Sequence, residues 1–148
     1  MLDDQLYQSW LLQLQTWAAD GRLLAAGVGA LRLKRSSARK RLSCIVERLA
    51  QGDRRDLPPI EVLPDSSMAG AMGAYASSTG TIYLNEKWAN KASTTAIQAV
   101  LTEEFGHHLD QLLSEEDTDG DEGEVFTNLL LEPRFNYQGH NQHIATNN

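Results

Sequence analysis

Leu101-Thr-Glu-Glu-Phe-Gly-His-His-Leu-Asp110 places two carboxylates and two imidazoles within six residues, Glu103, Glu104, His107 and His108. The stretch reads as helix, where residues four apart share a face one turn apart. Two pairs result, Glu103 with His107 and Glu104 with His108. A carboxylate and an imidazole at that spacing are two donors for a divalent cation. A hydrolytic zinc site needs three protein ligands and an open position. It also needs a carboxylate outside the ligand set to take a proton from the attacking water. Glu103 and His107 are candidate metal ligands, and Glu104 is the candidate general base. At about 100° per residue, Glu103 and His107 fall at the polar rim of the helix's apolar arc, while Glu104 and His108 fall within it. Gly106 bares the backbone between the turns and favours close approach of another element.

The third ligand has to come from elsewhere. After an acidic stretch, Asp121-Glu-Gly-Glu-Val-Phe126 opens a second helical pattern. An antiparallel return would bring its first turn to the metal, with Glu122 the first choice and Glu124 the second. These two are separated by one residue and should face different ways. Asp110 is a candidate acceptor for the His107 ring N–H, orienting the imidazole toward a metal. His108 is expected to be a satisfied histidine beside Glu104 rather than a ligand. A plainer account is two surface i, i+4 pairs, each worth a few tenths of a kcal/mol, with Asp110 merely solvated.

The elements that must position these groups are legible from periodicity. Residues 3–19, 22–34 and 37–51 read as helices, the second weakened by Gly27 and Gly29. Pro58 and Pro59 stop helical propagation, and 60–63 reads as a short strand. Residues 72–76 and 81–84 read as a hairpin joined through Ser77 to Gly80. The longest helix spans about Ser93 to Leu113, capped by Ser93 or Thr94. A last helix covers 122–131. The expected fold class is α+β: a helical N-terminal segment (1–56), a core with a small antiparallel sheet and two site helices (57–132), and a polar tail (133–148).

Here Glu103-Glu-Phe-Gly-His107 with Asp110 resembles the H-E-F-G-H-x-x-D form of the zincin metallopeptidase signature, with Glu103 in place of the first His. Asp121 to Phe126 is similar to the downstream glutamate segment of the gluzincin group. The stretch 57–131 also resembles the peptidase-like region of large cyanobacterial hemolysin-type (RTX) calcium-binding proteins, where Glu-Glu-x-Gly-His and Gly-Asp-Glu-Gly recur. The RTX nonapeptide repeats are absent from the sequence. The resemblance implies a metal-dependent peptidase acting on a peptide or protein substrate, with one divalent metal, Zn²⁺ first and Mn²⁺ or Ca²⁺ as alternatives. It also implies a sheet-edge strand, here Thr81, Ile82 and Tyr83, that aligns an extended peptide. Glu103 in place of histidine adds negative charge and shifts preference toward harder ions. The alternative is a catalytically degenerate zincin-like module that binds a protein partner or Ca²⁺ in a secreted assembly.

Composition narrows the classes. The 148 residues fit one domain with a sizeable core. Residues 1–58 hold ten Lys/Arg against six Asp/Glu, and 59–148 hold three against fourteen. The acidic C-terminal part suits a cation better than a phosphate. The basic run Arg32 to Arg41 lacks interleaved aromatics, so no nucleic-acid partner is expected. No apolar run is long enough to span a membrane. Met-Leu-Asp-Asp puts acid where a secretory leader carries positive charge, so a cytoplasmic chain or a non-standard export route is expected. The single cysteine, Cys44, excludes an internal disulfide and is expected to be a small buried apolar residue. Asp117 to Asp121 fails the calcium-loop pattern, having Glu122 where glycine is needed. His140 and His143 form an incidental pair in the polar tail, and oligomeric state is not readable.

Overall fold

Asp3 opens the first helix by accepting a hydrogen bond from the Leu6 amide at 3.0 Å, which satisfies one of the orphan donors of the first turn. The computed structural model describes residues 2–113 and 122–131, with the backbone alone at Glu122. The segment containing Asp117 to Asp121 and the tail containing His140 and His143 lie outside the described residues.

Three helices come first: α1 (Asp4–Ala19), α2 (Arg22–Leu31) and α3 (Ser36–Ala50). α1 buries Trp10, Leu14, Trp17 and Ala18. That face follows the helical period, and Gly21 at φ +89° takes the tight exit that a side chain disfavours. Gly27 does more than weaken α2. A Cβ there would lie 2.7 Å from Leu42 Cδ2, so the glycine lets α3 pack close. α3 buries Ala38, Leu42, Ile45, Val46 and Leu49. Cys44 is exposed, contrary to the buried position expected for it. Two residues past Leu42 the helix has turned about 200°, which carries Cys44 off the buried stripe.

Three strands follow, β1 (Ile60–Leu63), β2 (Gly73–Ala76) and β3 (Thr81–Asn85), then the short α4 (Glu86–Ala89). The fold class is α+β, as expected. The sheet, however, is mixed rather than antiparallel. Its order is β1-β3-β2, with β3 parallel to β1 and antiparallel to β2. Asn85 ends β3 with three bonds: its side-chain amide donates to Asp65 at 2.8 Å and to the Ala71 carbonyl at 2.9 Å, and its Oδ1 accepts from the Trp88 amide. It thereby starts α4 and ties down the loop that leads into β2.

The long helix α5 (Thr94–Leu113) packs against β2 and β3 on one side and against α6 (Glu122–Leu130) on another. Ser93 caps it, its Oγ accepting from the Ala96 amide at 3.1 Å. One hydrophobic cluster joins all parts, from Trp10 and Leu42 through Ile82 to Phe105, Leu109 and Phe126. Trp10 donates through Nε1 to Thr102 Oγ1 at 3.1 Å and packs edge-on against Phe105. The N-terminal helices are therefore part of the core that supports α5. Among the described residues, no helix is long and apolar enough to cross a membrane.

Candidate functional site

α5 carries the four chemistry-bearing residues on its central turns, and three neighbours surround them. Glu103 is 3 % exposed and Glu104 is fully buried, while His107 and His108 are half-buried. This burial excludes the plain account of two surface ion pairs. A carboxylate taken out of water costs several kcal/mol unless partners compensate, so two adjacent buried glutamates are not an incidental surface decoration.

Glu103 was expected at a polar rim, but the first turn of α6 covers it. A Cβ built on Gly123 would lie 2.6 Å from the Glu103 carbonyl oxygen, 2.9 Å from Glu103 Cγ and 2.8 Å from His107 Nε2. Gly123 therefore sits directly on the Glu103–His107 pair. Gly106 faces the same helix, since its added Cβ would lie 3.2 Å from Gly123 Cα and 3.0 Å from Phe126 Cδ2. The close approach expected at Gly106 is what α6 makes. Glu122 and Glu124 flank the contact point on either side.

Glu103 and His107 place a carboxylate and an imidazole, two donors of the kind a divalent cation takes, one turn apart, and the first turn of α6 lies across them. Among the described residues, no group of three His, Cys, Asp or Glu side chains forms a metal cluster. Glu124 is half-buried and does not complete a set with Glu103 and His107. The side chain of Glu122, the first-choice third donor, lies outside the described residues. Asp110 is half-buried on the last turns of α5, three residues beyond His107.

Glu104 turns toward the sheet instead. Its Cγ would lie 3.6 Å from a Cβ on Gly73 in β2, and Val100 Cγ1 would lie at 2.5 Å. Only glycine lets this strand come so near α5. Thr81, Ile82 and Tyr83 cannot be an edge that receives a peptide, because β3 is the central strand with both sides hydrogen-bonded to neighbours. The edges are β1 and β2. Asn85 donates its amide to the Met72 carbonyl at 2.9 Å, and antiparallel pairing alternates along the ladder. Met72, Ala74 and Ala76 therefore turn their backbone groups to β3, while Gly73 and Tyr75 turn theirs outward.

His108 is a satisfied histidine, although its partners are not Glu104. Its Nε2 lies 3.2 Å from the Asp56 carbonyl and its Nδ1 lies 2.8 Å from the Tyr75 hydroxyl. A carbonyl only accepts, so Nε2 carries the proton and Nδ1 accepts from Tyr75 in the neutral ring. Burial pushes the His108 pKa down, against the smaller opposing effect of the Asp56 backbone bond. Burial pushes the Tyr75 hydroxyl up to about 12. Arg48 holds Asp56 with two bonds, at 2.7 and 3.0 Å. This set ties β2 and the chain before β1 to α5.

Sequence reasoning assigned no role to Gly73, Tyr75, Asp56 or Gly123. The one local signal was Gly123, a poor helix former placed in the opening turn of a helix. Compared with family models, with curated proteins and with solved structures, the chain shows no match.

Proposed function

We propose that the chain is a metal-dependent peptidase with a zincin-like site. Glu103, His107 and Glu122 (or Glu124) would hold one divalent cation, Zn²⁺ first and Mn²⁺ or Ca²⁺ as alternatives. The observation that carries this is the joint burial of Glu103 and Glu104 beside His107, where the first turn of α6 lies across the pair. Held there, the ion would contribute Lewis acidity toward a scissile carbonyl and would lower the pKa of a bound water. Glu104 acts on the protons. Its carboxylate takes one from the attacking water as the new C–O bond forms, then delivers it to the amine nitrogen as the C–N bond breaks. Glu104 lies between β2 and the ligand pair, its Cγ 3.6 Å from where a Cβ on Gly73 would stand.

The zincin resemblance implies a peptide or protein substrate, and the central position of β3 leaves Thr81 to Tyr83 no part in strand addition. The resemblance of Glu103 to Asp110 and of Asp121 to Phe126 to the zincin segments supports the same assignment.

Metal content of the purified full chain and cleavage of an unstructured protein substrate test the proposal together. One bound ion per chain is expected, with cleavage abolished in Glu104→Gln while the ion is retained. Absence of any bound ion, or a Glu104→Gln variant that cleaves as well as the parent, removes the peptidase assignment. Retained metal without cleavage in the parent chain favours the degenerate binding module instead.

A further inference from the structure

Glycine in a helix costs about 1 kcal/mol relative to alanine, so its presence at 123 calls for a reason. The reason is steric. Each of the three nearest atoms to an added Cβ is closer than 3.0 Å, and every one of them belongs to Glu103 or His107. One is the backbone oxygen of Glu103, which cannot swing aside. Facing it, Gly106 would bring a Cβ to 3.2 Å from Gly123 Cα. Two glycines thus meet where α5 and α6 cross, at the proposed ligands. The other glycine contact of α6 is of another kind. A Cβ on Gly29 in α2 would meet Leu129 Cδ1 at 3.5 Å, an ordinary van der Waals separation.

We propose that Gly123 is a positioning residue for the metal: resting on the metal-site assignment above, the Gly106–Gly123 crossing seats the opening turn of α6 on Glu103 and His107, and this seating sets the affinity for the ion. A side chain at 123 lifts the turn, or displaces the His107 ring or the Glu103 stem. In each case the donor set loses its shape although both ligands are still present. Helix pairing elsewhere along α6, as at Gly29, leaves the ion's affinity alone.

The test is equilibrium titration of the full chain with Zn²⁺ against a competing chelator, with helix content followed by far-UV circular dichroism. Parent, His107→Ala, Gly123→Ala, Gly106→Ala and Gly29→Ala are compared. The parent binds one Zn²⁺ and His107→Ala loses it. Gly123→Ala retains helix content and binds about 10- to 100-fold more weakly, the range typical when the support of a ligand is removed. Gly106→Ala weakens binding in the same direction, and Gly29→Ala binds as the parent does. Zinc affinity unchanged in a folded Gly123→Ala overturns the inference while leaving the metal assignment standing. A parent chain that takes up no Zn²⁺ removes both. Should Gly123→Ala fail to fold, Gly106→Ala carries the comparison, and loss of helix content in both variants assigns the crossing to stability alone and overturns the inference.

Discussion

The hydroxyl of Tyr75 donates to His108 Nδ1 at 2.8 Å, while Nε2 donates to the Asp56 carbonyl. Tyr75→Phe keeps the ring's edge-on packing against His108 but leaves that nitrogen unserved. A buried polar atom deprived of its partner costs about 1–3 kcal/mol, and a urea unfolding midpoint within error of the parent would show that the bond contributes nothing. The same hydroxyl gives a pH dependence. Its folded-state pKa is raised from 10.0 to about 12 by burial, so the native state favours the neutral phenol. The stabilisation is complete below about pH 10, and it is lost as pH rises from there through about 12. Tyrosinate absorbance followed with increasing pH should show a late phase that Tyr75→Phe removes. Tyr7 is also shifted upward, by burial against the opposing charge of Arg54, and it persists in that variant.

Helix α5 depends on its start and on the strand above it. Ser93→Ala removes the bond to the Ala96 amide and should cost about 1 kcal/mol. Gly73→Ala should cost more, about 1–3 kcal/mol. Its methyl group meets Val100 Cγ1 at 2.5 Å and the Tyr83 carbonyl oxygen at 3.3 Å, pushing β2 off both α5 and β3. Equal midpoints for these two variants in denaturant would contradict that ordering. Local signals were enough for most elements at this scale. Helical periodicity placed α1, α3 and α5, and the prolines and alternation placed β1 and the β2–β3 hairpin, with Ser93 as the cap. What local signals could not supply was partnership. The parallel pairing of β1 with β3 joins residues about twenty positions apart, and nothing within either strand encodes it. Thr81 to Tyr83 therefore looked like an edge. α4 was too short for periodicity, and its signal was the single cap residue Asn85. At the site, the spacing of Glu103, Glu104 and His107 was visible, but burial of Glu103 depends on α6, whose approach is set by Gly106 and Gly123 together.

On the scale of the molecule, the site is supported by chain that lies far from it in sequence. Trp10, fully buried, reaches from α1 to Thr102 and Phe105, immediately before the candidate ligands. α2 packs on α6, and α3 reaches α5, where Arg41 donates to the Leu112 carbonyl. Residues 1–56 thus supply one wall of a shared core, although the sequence reads as a helical segment followed by a separate core. A fragment spanning 57–131 would lack Trp10, Leu31 and Leu42, which share one hydrophobic cluster with Phe105, Leu109 and Phe126. It should lack cooperative structure. Within the whole chain, Trp10→Ala removes a large buried ring and should cost about 3–5 kcal/mol, a large part of the total stability of a domain this size. The decisive comparison is between two probes of the intact chain in urea. In a Trp88→Phe background, tryptophan emission reports the surroundings of Trp10 and Trp17 on α1, and far-UV circular dichroism is dominated by all the helices. A single core requires the two transitions to coincide. Non-coincident transitions, or a 57–131 fragment that unfolds cooperatively by itself, would show that the N-terminal helices are a detachable unit and that the site is held without them.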